Sequence, residues 1–392
     1  MALLEVRDLK TTFYTEDGLV KAVDGVSYDI ERGERFGIVG ESGAGKSAAS
    51  LSLMRLIQDP GRIESGTIRF KGEDILEMSD KRLRQLRGGE ISMIFQEPQT
   101  ALNPVFTIGE QISEAIRTHM DYGEVGARDR AISLLEDVGI PDAASRYDDY
   151  PHQFSGGMQQ RAVIAIALSC DPDLIIADEP TTALDVTIEA QILDLLRELG
   201  DEYDTAIQLI THDLAVVADM CDRVMVMYAG KAVEKAPAED LYYNPSHPYT
   251  VGLMSSIPRI GEDRERLATI PGTMPDLVEV PPGCSFHPRC PYAEDICTEK
   301  QPELVDVETG EVYEERVEGE SAETRPEPDP QSHVASCLAY SGDLSGDLDF
   351  DVSVEGDRRE RFQAEGAIEP AASPPPDAAD TAGPDNEGTE TP

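Results

Sequence analysis

The sequence has no run of roughly 18 apolar residues, the length a bilayer-spanning helix needs, so nothing in it reads as a transmembrane segment. Its first residues, Met1-Ala2-Leu3-Leu4-Glu5-Val6, lack the basic stretch and long apolar core of a secretory signal. The chain is therefore expected in the cytosol, free or docked on a membrane protein. Positive charge is scarce: 33 Lys and Arg face 77 Asp and Glu, for a net charge of −44. That balance excludes a broad DNA-binding surface. The acid is also dispersed, because Asp201-Glu202-Tyr203-Asp204 and Glu262-Asp263-Arg264-Glu265 lie well inside the chain. Such self-repulsion suits a halophilic-like protein in a cytosol at very high salt, where it is screened. A single acidic tail is the plainer alternative. Internal repeats and CxxC pairs are absent. The 392 residues leave room for two domains and a tail.

What is present centres on Gly40-Glu41-Ser42-Gly43-Ala44-Gly45-Lys46-Ser47, which reads GxxxxGK[ST]. Arg35-Phe36-Gly37-Ile38-Val39 before it suits a buried strand, and residues 48–56 after it continue as a helix. Strand, glycine loop and helix is the context of a P-loop. Its backbone N–H groups wrap a triphosphate at a helix start. Lys46 would reach the β and γ phosphates of ATP, and Ser47 would hold Mg²⁺.

Upstream, residues 4–9 and 21–30 alternate as strands around a turn at Thr15-Glu16-Asp17-Gly18, giving an antiparallel sheet ahead of the loop. In it, Phe13 or Tyr14 is placed to stack on an adenine ring, or else to serve as a sheet aromatic facing the core. Downstream, residues 66–70 and 91–95 read as strands, the latter ending at Gln96-Glu97-Pro98. Residues 107–168 turn helical, with Ile108, Ile112 and Ile116 at four-residue spacing. Residues 173–178, 206–211 and 223–228 return as strands, and residues 189–199 form an amphipathic helix. Strands alternating with helices predict an α/β core. Residues 236–245 read as the exit from that core. Cys170 and Cys221 sit alone in apolar or helical context and read as core. After about residue 340 the composition has few large apolar groups, so a disordered acidic tail is expected at 341–392.

Two further stretches carry chemistry. Leu174-Ile175-Ile176-Ala177-Asp178-Glu179 leads a buried strand into two carboxylates. Asp178 would hold the metal beside the P-loop, and Glu179 would polarise a water in line with the γ-phosphate. Ser155-Gly156-Gly157 opens a strongly helical run, where it suits either a phosphate site or a simple N-cap.

With these motifs in order, residues 1 to about 255 resemble the nucleotide-binding subunits of ABC transporters. The P-loop, the signature Ser155-Gly156-Gly157 and the Asp178-Glu179 pair carry the resemblance. Gln96 resembles the Q-loop glutamine, Asp185 in Ala183-Leu184-Asp185 the D-loop, and His212 the switch histidine. Met158 departs from the Gln that many members carry. The resemblance implies a P-loop NTPase core of ABC ATPase type, with an antiparallel β subdomain and an inserted helical subdomain at about 98–170. It implies two such subunits paired head to tail, each ATP lying between one P-loop and the partner's signature and Asp185. Glu179, His212 and Gln96 would be catalytic, with Gln96 also sensing Mg²⁺. The loop with Pro98, Leu102, Asn103, Pro104 and Phe106 would meet the membrane subunit.

Asn244-Pro245-Ser246-His247-Pro248-Tyr249-Thr250, Ile270-Pro271-Gly272 and residues 283–293 resemble the extension of dipeptide/oligopeptide-type importers. This implies an ATPase domain at 1–257, a Cys-containing extension at 258–340, and peripheral association with the cytoplasmic face of the membrane. The implied partners are two permease subunits, a paralogous ATPase subunit or a second copy, and an extracellular solute-binding protein. Cys284, Cys290, Cys297 and Cys337 form a set of soft ligands for a [4Fe–4S] cluster or Zn²⁺, or hold no metal. Resemblance to cluster-bearing members favours iron. The acidic stretch 305–330 would then be a long loop. Two other classes of protein carry such a cassette or such cysteines. A soluble ABC protein acting on DNA or ribosomes is opposed by the compact insertion, the single cassette and the negative charge. An iron–sulfur redox protein lacks a recognisable electron partner.

Overall fold

The computed structural model describes residues 2–96, 98–182, 184–255, 270–313, 331–344 and 348. The chain divides into two units, Met1–Phe350 and Asp351–Pro392, and the described residues belong to the first. Ala183, the expected boundary at 257/258, residues 314–330 of the acidic stretch and nearly all of the expected tail lie outside the described residues.

Two long strands open the chain, β1 (Leu4–Thr15) and β2 (Gly18–Ile30), paired antiparallel around the Glu16-Asp17 turn. β3 (Arg35–Val39) then runs into helix α1 (Lys46–Leu53). β4 (Gly61–Phe70) and the short β5 (Glu73–Asp74) complete a four-stranded antiparallel sheet in the order β2-β1-β4-β5. Its inward residues Leu4, Val6, Val26, Tyr28 and Ile68 are fully buried, as period-two alternation requires, and a register shift after Val6 turns Leu9 inward as well. Helix α2 (Asp80–Gly89) leads to β6 (Ile91–Ile94).

The helical insertion follows: α3 (Pro98–Ala101), α4 (Ile108–His119), α5 (Glu124–Asp137), α6 (Ala143–Arg146) and α7 (Gly156–Leu168). Ile108, Ile112 and Ile116 are buried along one face of α4. Thr107 caps that helix by accepting from the Glu110 N–H at 3.3 Å. Leu102 is buried, unlike the expectation that it would present itself to a membrane subunit; Val105 and Phe106 stand out instead, at 71% and 48% exposure. The amide N–H of Leu102 donates to the Pro98 carbonyl, so the turn of α3 folds that side chain inward.

The chain then returns to the sheet through β7 (Leu174–Asp178), α8 (Val186–Tyr203), β8 (Ala206–Thr211), α9 (Leu214–Met220), β9 (Arg223–Tyr228) and β10 (Lys231–Pro237). β3, β6, β7, β8 and β9 are parallel, and every residue of β7, β8 and β9 is buried, as a sheet covered on both faces demands. Cys170 and Cys221 are buried core thiols. α10 (Ala238–Tyr243) and α11 (Pro248–Ser255) follow. Ala236 and Pro237, read as the start of the exit from the core, instead end an antiparallel strand on β9 that went unread at residues 231–235. Two short strands of the extension, β11 (Val305–Asp306) and β12 (Val334–Ala335), extend the same sheet to the order β11-β12-β10-β9-β3-β8-β7-β6.

Buried polar groups tie the two sheets to the helix after the loop. The Tyr28 hydroxyl donates to Gln208 Oε1 at 3.0 Å, and Gln208 Nε2 donates to Ser50 Oγ at 2.8 Å. Tyr28 also stacks on Phe36 at 5.2 Å. These bonds join β2, β8 and α1, which fixes where the P-loop helix begins.

Candidate functional site

The loop from Gly40 to Gly45 joins the C-terminal end of β3 to the start of α1, at the carboxyl edge where open parallel sheets bind ligands. Gly45 caps α1 in the left-handed region, at φ 101°. A Cβ there would lie 2.0 Å from the Ala22 carbonyl oxygen, so only glycine fits. Lys46 is almost fully buried, and its Nζ donates to the carbonyls of Gly40 at 2.7 Å and Glu41 at 3.1 Å. Burial lowers its pKa, while the negative charges of Glu179, Asp178 and Glu41 pull it back up. The ammonium thus curls over the loop where phosphate oxygens would replace two carbonyls.

Ser47 Oγ donates to Asp178 Oδ1 at 3.1 Å. Burial raises the Asp178 carboxyl above the ordinary carboxylate range, and Glu179 adds to it; the Ser47 bond opposes both. A hydroxyl and a carboxylate side by side are hard oxygen donors of the kind Mg²⁺ takes, so these residues fit the expected cation.

Glu179 sits just past β7 with φ 47°, a conformation costly for a non-glycine residue. Its N–H donates to the Ile210 carbonyl at 2.9 Å, which holds the turn against β8. Gln96 Nε2 and Thr182 Oγ1 each donate to Glu179 Oε2 at 2.9 Å. His212 Nδ1 lies 3.4 Å from Oε1. The structure therefore gathers the P-loop, Asp178, Glu179, Gln96 and His212 into one place. Thr182 went unread in the sequence, because a Thr three residues after a glutamate has no local signature.

Ser155, Gly156, Gly157 and Asp185 are placed differently. Ser155 caps α7, accepting from the Met158 N–H at 3.4 Å, and Asp185 caps α8, accepting from the Ile188 N–H at 3.1 Å. The two helix starts are neighbours, because a Cβ on Gly157 would lie 3.0 Å from the Ile188 side chain. Phe13 is half-buried on β1 with its ring packed over Gly61. Tyr14 is exposed, donating to Glu64 at 2.8 Å with the Arg62 guanidinium 5.4 Å above its ring.

The extension packs onto the core through Phe286, whose ring lies 5.2 Å from Tyr228 and 5.4 Å from Tyr249. Its cysteines are free thiols. Burial pushes Cys290 up to about 11 and Cys337 up to about 12, and the other three sulfurs lie near enough to raise Cys337 further. Among the described residues, however, no group of three or more His, Cys, Asp or Glu side chains is set to hold a metal ion. Electrostatic influence reaches far beyond a metal–sulfur bond of about 2.3 Å. Cys284, Cys290, Cys297 and Cys337 thus share a neighbourhood without forming the expected [4Fe–4S] or Zn²⁺ centre.

A P-loop on a parallel sheet, with a serine–aspartate pair and a hydrogen-bonded glutamate past β7, two strands away, defines an ABC-type ATPase cassette. Comparison with known proteins narrows the class. The family described as "ABC transporter" matches residues 23–182, and "Oligopeptide/dipeptide transporter, C-terminal region" matches residues 233–297. The dipeptide transport ATP-binding protein DppD of Escherichia coli (strain K12) is 51% identical over 304 residues, covering 78% of this chain and 93% of that protein. The oligopeptide transport ATP-binding protein OppD of the same strain is 50% identical over 301 residues, covering 77% of this chain and 89% of its own length. A dimeric ATP-binding cassette solved in a post-hydrolysis state with ADP and Pi superposes with a TM-score of 0.54 at 26% identity, covering 60% of this chain and 98% of that one. The chain belongs to the dipeptide/oligopeptide family of ABC transporter ATP-binding subunits.

Proposed function

We propose that this chain is the ATP-hydrolysing subunit of an importer, coupling ATP binding and hydrolysis to uptake of dipeptides, oligopeptides or a related solute. The observation that carries this reading is the Glu179 carboxylate, held by Gln96, Thr182 and His212. It stands in sequence directly beside Asp178, the partner of Ser47.

In this mechanism Lys46 exchanges its two carbonyl acceptors for β and γ phosphate oxygens. Mg²⁺, held by Ser47 and Asp178 with Gln96 nearby, would neutralise charge developing on the phosphates. Glu179 takes the proton from the attacking water. His212 would hold the γ-phosphate and orient Glu179, and Gln96 would sense Mg²⁺ and the attacking water. Ser155, Gly156, Gly157 and Asp185 act across a head-to-tail dimer, where helix starts suit anionic oxygens. Phe13 is the candidate adenine platform. The partners are two permeases, a paralogous ATPase or a second copy, and through the permeases an extracellular binding protein. No nucleic acid is involved. The subunit works peripherally at the cytoplasmic face, and the exposed Val105 and Phe106 suit the permease contact.

Four thiols in one neighbourhood support a metal centre that closes only when iron or zinc binds. Anaerobic protein with iron and sulfide would support it, and four freely titrating thiols without metal would remove it. The dispersed acid supports adaptation to high salt.

The central test replaces Glu179 by Gln and Lys46 by Ala in the assembled transporter. Glu179→Gln should keep ATP binding and lower turnover by about two to four orders of magnitude. Lys46→Ala should weaken binding itself. Wild-type turnover in Glu179→Gln would refute the assigned base.

A further inference from the structure

Arg289 belongs to the extension, yet its side chain reaches the nucleotide loop. Nη1 and Nη2 donate to the two carboxylate oxygens of Glu41 at 2.7 and 3.0 Å, a paired fork contact. The guanidinium side chain is only 6% exposed. Its Nε donates to the Pro271 carbonyl at 2.9 Å, so the extension itself sets its direction. The Glu41 N–H donates to the Tyr249 hydroxyl at 2.8 Å, and the Glu41 carbonyl accepts from Lys46 at 3.1 Å. The carboxylate, N–H and carbonyl of Glu41 are thus each held by a partner.

That restraint matters because of charge. Glu41 is the second residue of a loop expected to carry a triphosphate. Its carboxylate would repel phosphate oxygens and compete with them for the nearest ammonium. Lys46 already feels that negative charge, which counters the effect of burial. We propose that Arg289 is a positioning residue of the nucleotide loop: it binds the Glu41 carboxylate so that Lys46 stays available to phosphate. The inference rests on the reading of residues 40–47 as the nucleotide loop. It makes the ATP site dependent on a residue 248 positions away, supplied by a segment outside the ATPase core.

The test uses the full-length chain and titration with a fluorescent ATP analogue. Arg289→Gln should weaken binding about tenfold, the effect of losing one compensating charge beside the phosphates. Arg289→Lys, which keeps charge but not the fork, should fall between Arg289→Gln and the parent. Adding Glu41→Gln to Arg289→Gln should return the dissociation constant to within about twofold of the Glu41→Gln single variant, because no carboxylate is left to mask. Failure of that rescue would overturn the proposal by showing that Arg289 merely holds the extension in place. Unchanged binding in Arg289→Gln, with Lys46→Ala weakened as expected, would overturn the proposal while leaving the loop assignment intact. Unchanged binding in Lys46→Ala would overturn the loop assignment and the proposal with it.

Discussion

Replacing Phe286 by Ala should loosen the extension without unfolding the ATPase core. Phe286 is 2% exposed and rests against Tyr228, Tyr249 and His247, with ring centroids 5.2, 5.4 and 5.7 Å away. Truncating a buried phenylalanine costs about 3–5 kcal/mol in lost burial and cavity. Ile270, Met274 and Leu277 also pack on the core but are only partly buried, and the remaining ties are polar or short: the Arg289–Glu41 fork, the His333–Glu234 contact, the Tyr340–Ser246 bond and the two residue pairs of β12 on β10. The parallel strands keep their own buried contacts on both faces. The loss should therefore appear locally. At about 3 kcal/mol, amide exchange through residues 284–297 should quicken by about two orders of magnitude. Exchange in β3, β7 and β8 should stay within a few-fold. Phe286→Leu, which fills most of the space, should move the same amides far less. Unaltered exchange around Cys284 and Cys297, or equal loss in β8, would refute the view of Phe286 as the main apolar anchor.

Gly45→Ala should abolish nucleotide binding, because its Cβ meets the Ala22 carbonyl at 2.0 Å, whereas Gly43→Ala meets open space and pays only a positive-φ strain of about 1–2 kcal/mol; comparable affinities for the two would sink this. His247 is buried and pushed down to about 4 from an ordinary 6.5, first by burial, with Glu234 opposing. The unfolded chain takes up this proton before the folded chain does, so stability should fall as pH drops from about 6.5 towards 4, by up to about 3 kcal/mol. His247→Gln should flatten that slope in denaturant titrations, and an unchanged slope would assign acid sensitivity elsewhere. The thermal midpoint should drop as KCl falls from molar to about 0.1 M, where the Debye length is about 10 Å; equal midpoints would end the high-salt reading.

Most of the nucleotide site was legible because its signals are local. The P-loop needs glycines at fixed offsets, Asp178 and Glu179 end an unbroken apolar strand, and the isoleucines of α4 repeat at helical spacing. What escaped was set by distant partners. β10 carries Lys231, Glu234 and Lys235, and Glu234 is wholly buried only because the N–H groups of Ser246 and His247 and the ring of His333 meet it. Without those partners in view, residues 231–235 carry too much charge to announce a strand of the core. β11 and β12 are two residues each, too short for any periodicity. Leu102 was expected at the membrane-subunit surface from the resemblance alone, yet the α3 turn folds it inward. Arg289 sits between a proline and a cysteine, and nothing nearby announces a carboxylate in the P-loop.

The pairing of β12 with β10 has a consequence for solubility. β10 is seven residues long and would otherwise form the rim of the large sheet, with its unpaired N–H and C=O groups turned outward. An open rim of that length is a template for strand addition by another chain. Here the Glu234↔Ala335 and Lys235↔Val334 pairs and the Ser336 N–H on the Val233 carbonyl cover it, and among the described residues the new margin is the two-residue β11 with a single bridge to Val312, too short to recruit a neighbour. A chain cut after α11 would keep every residue gathered around Glu179 and still uncover this rim, so it should self-associate through β10 while retaining its nucleotide-site residues.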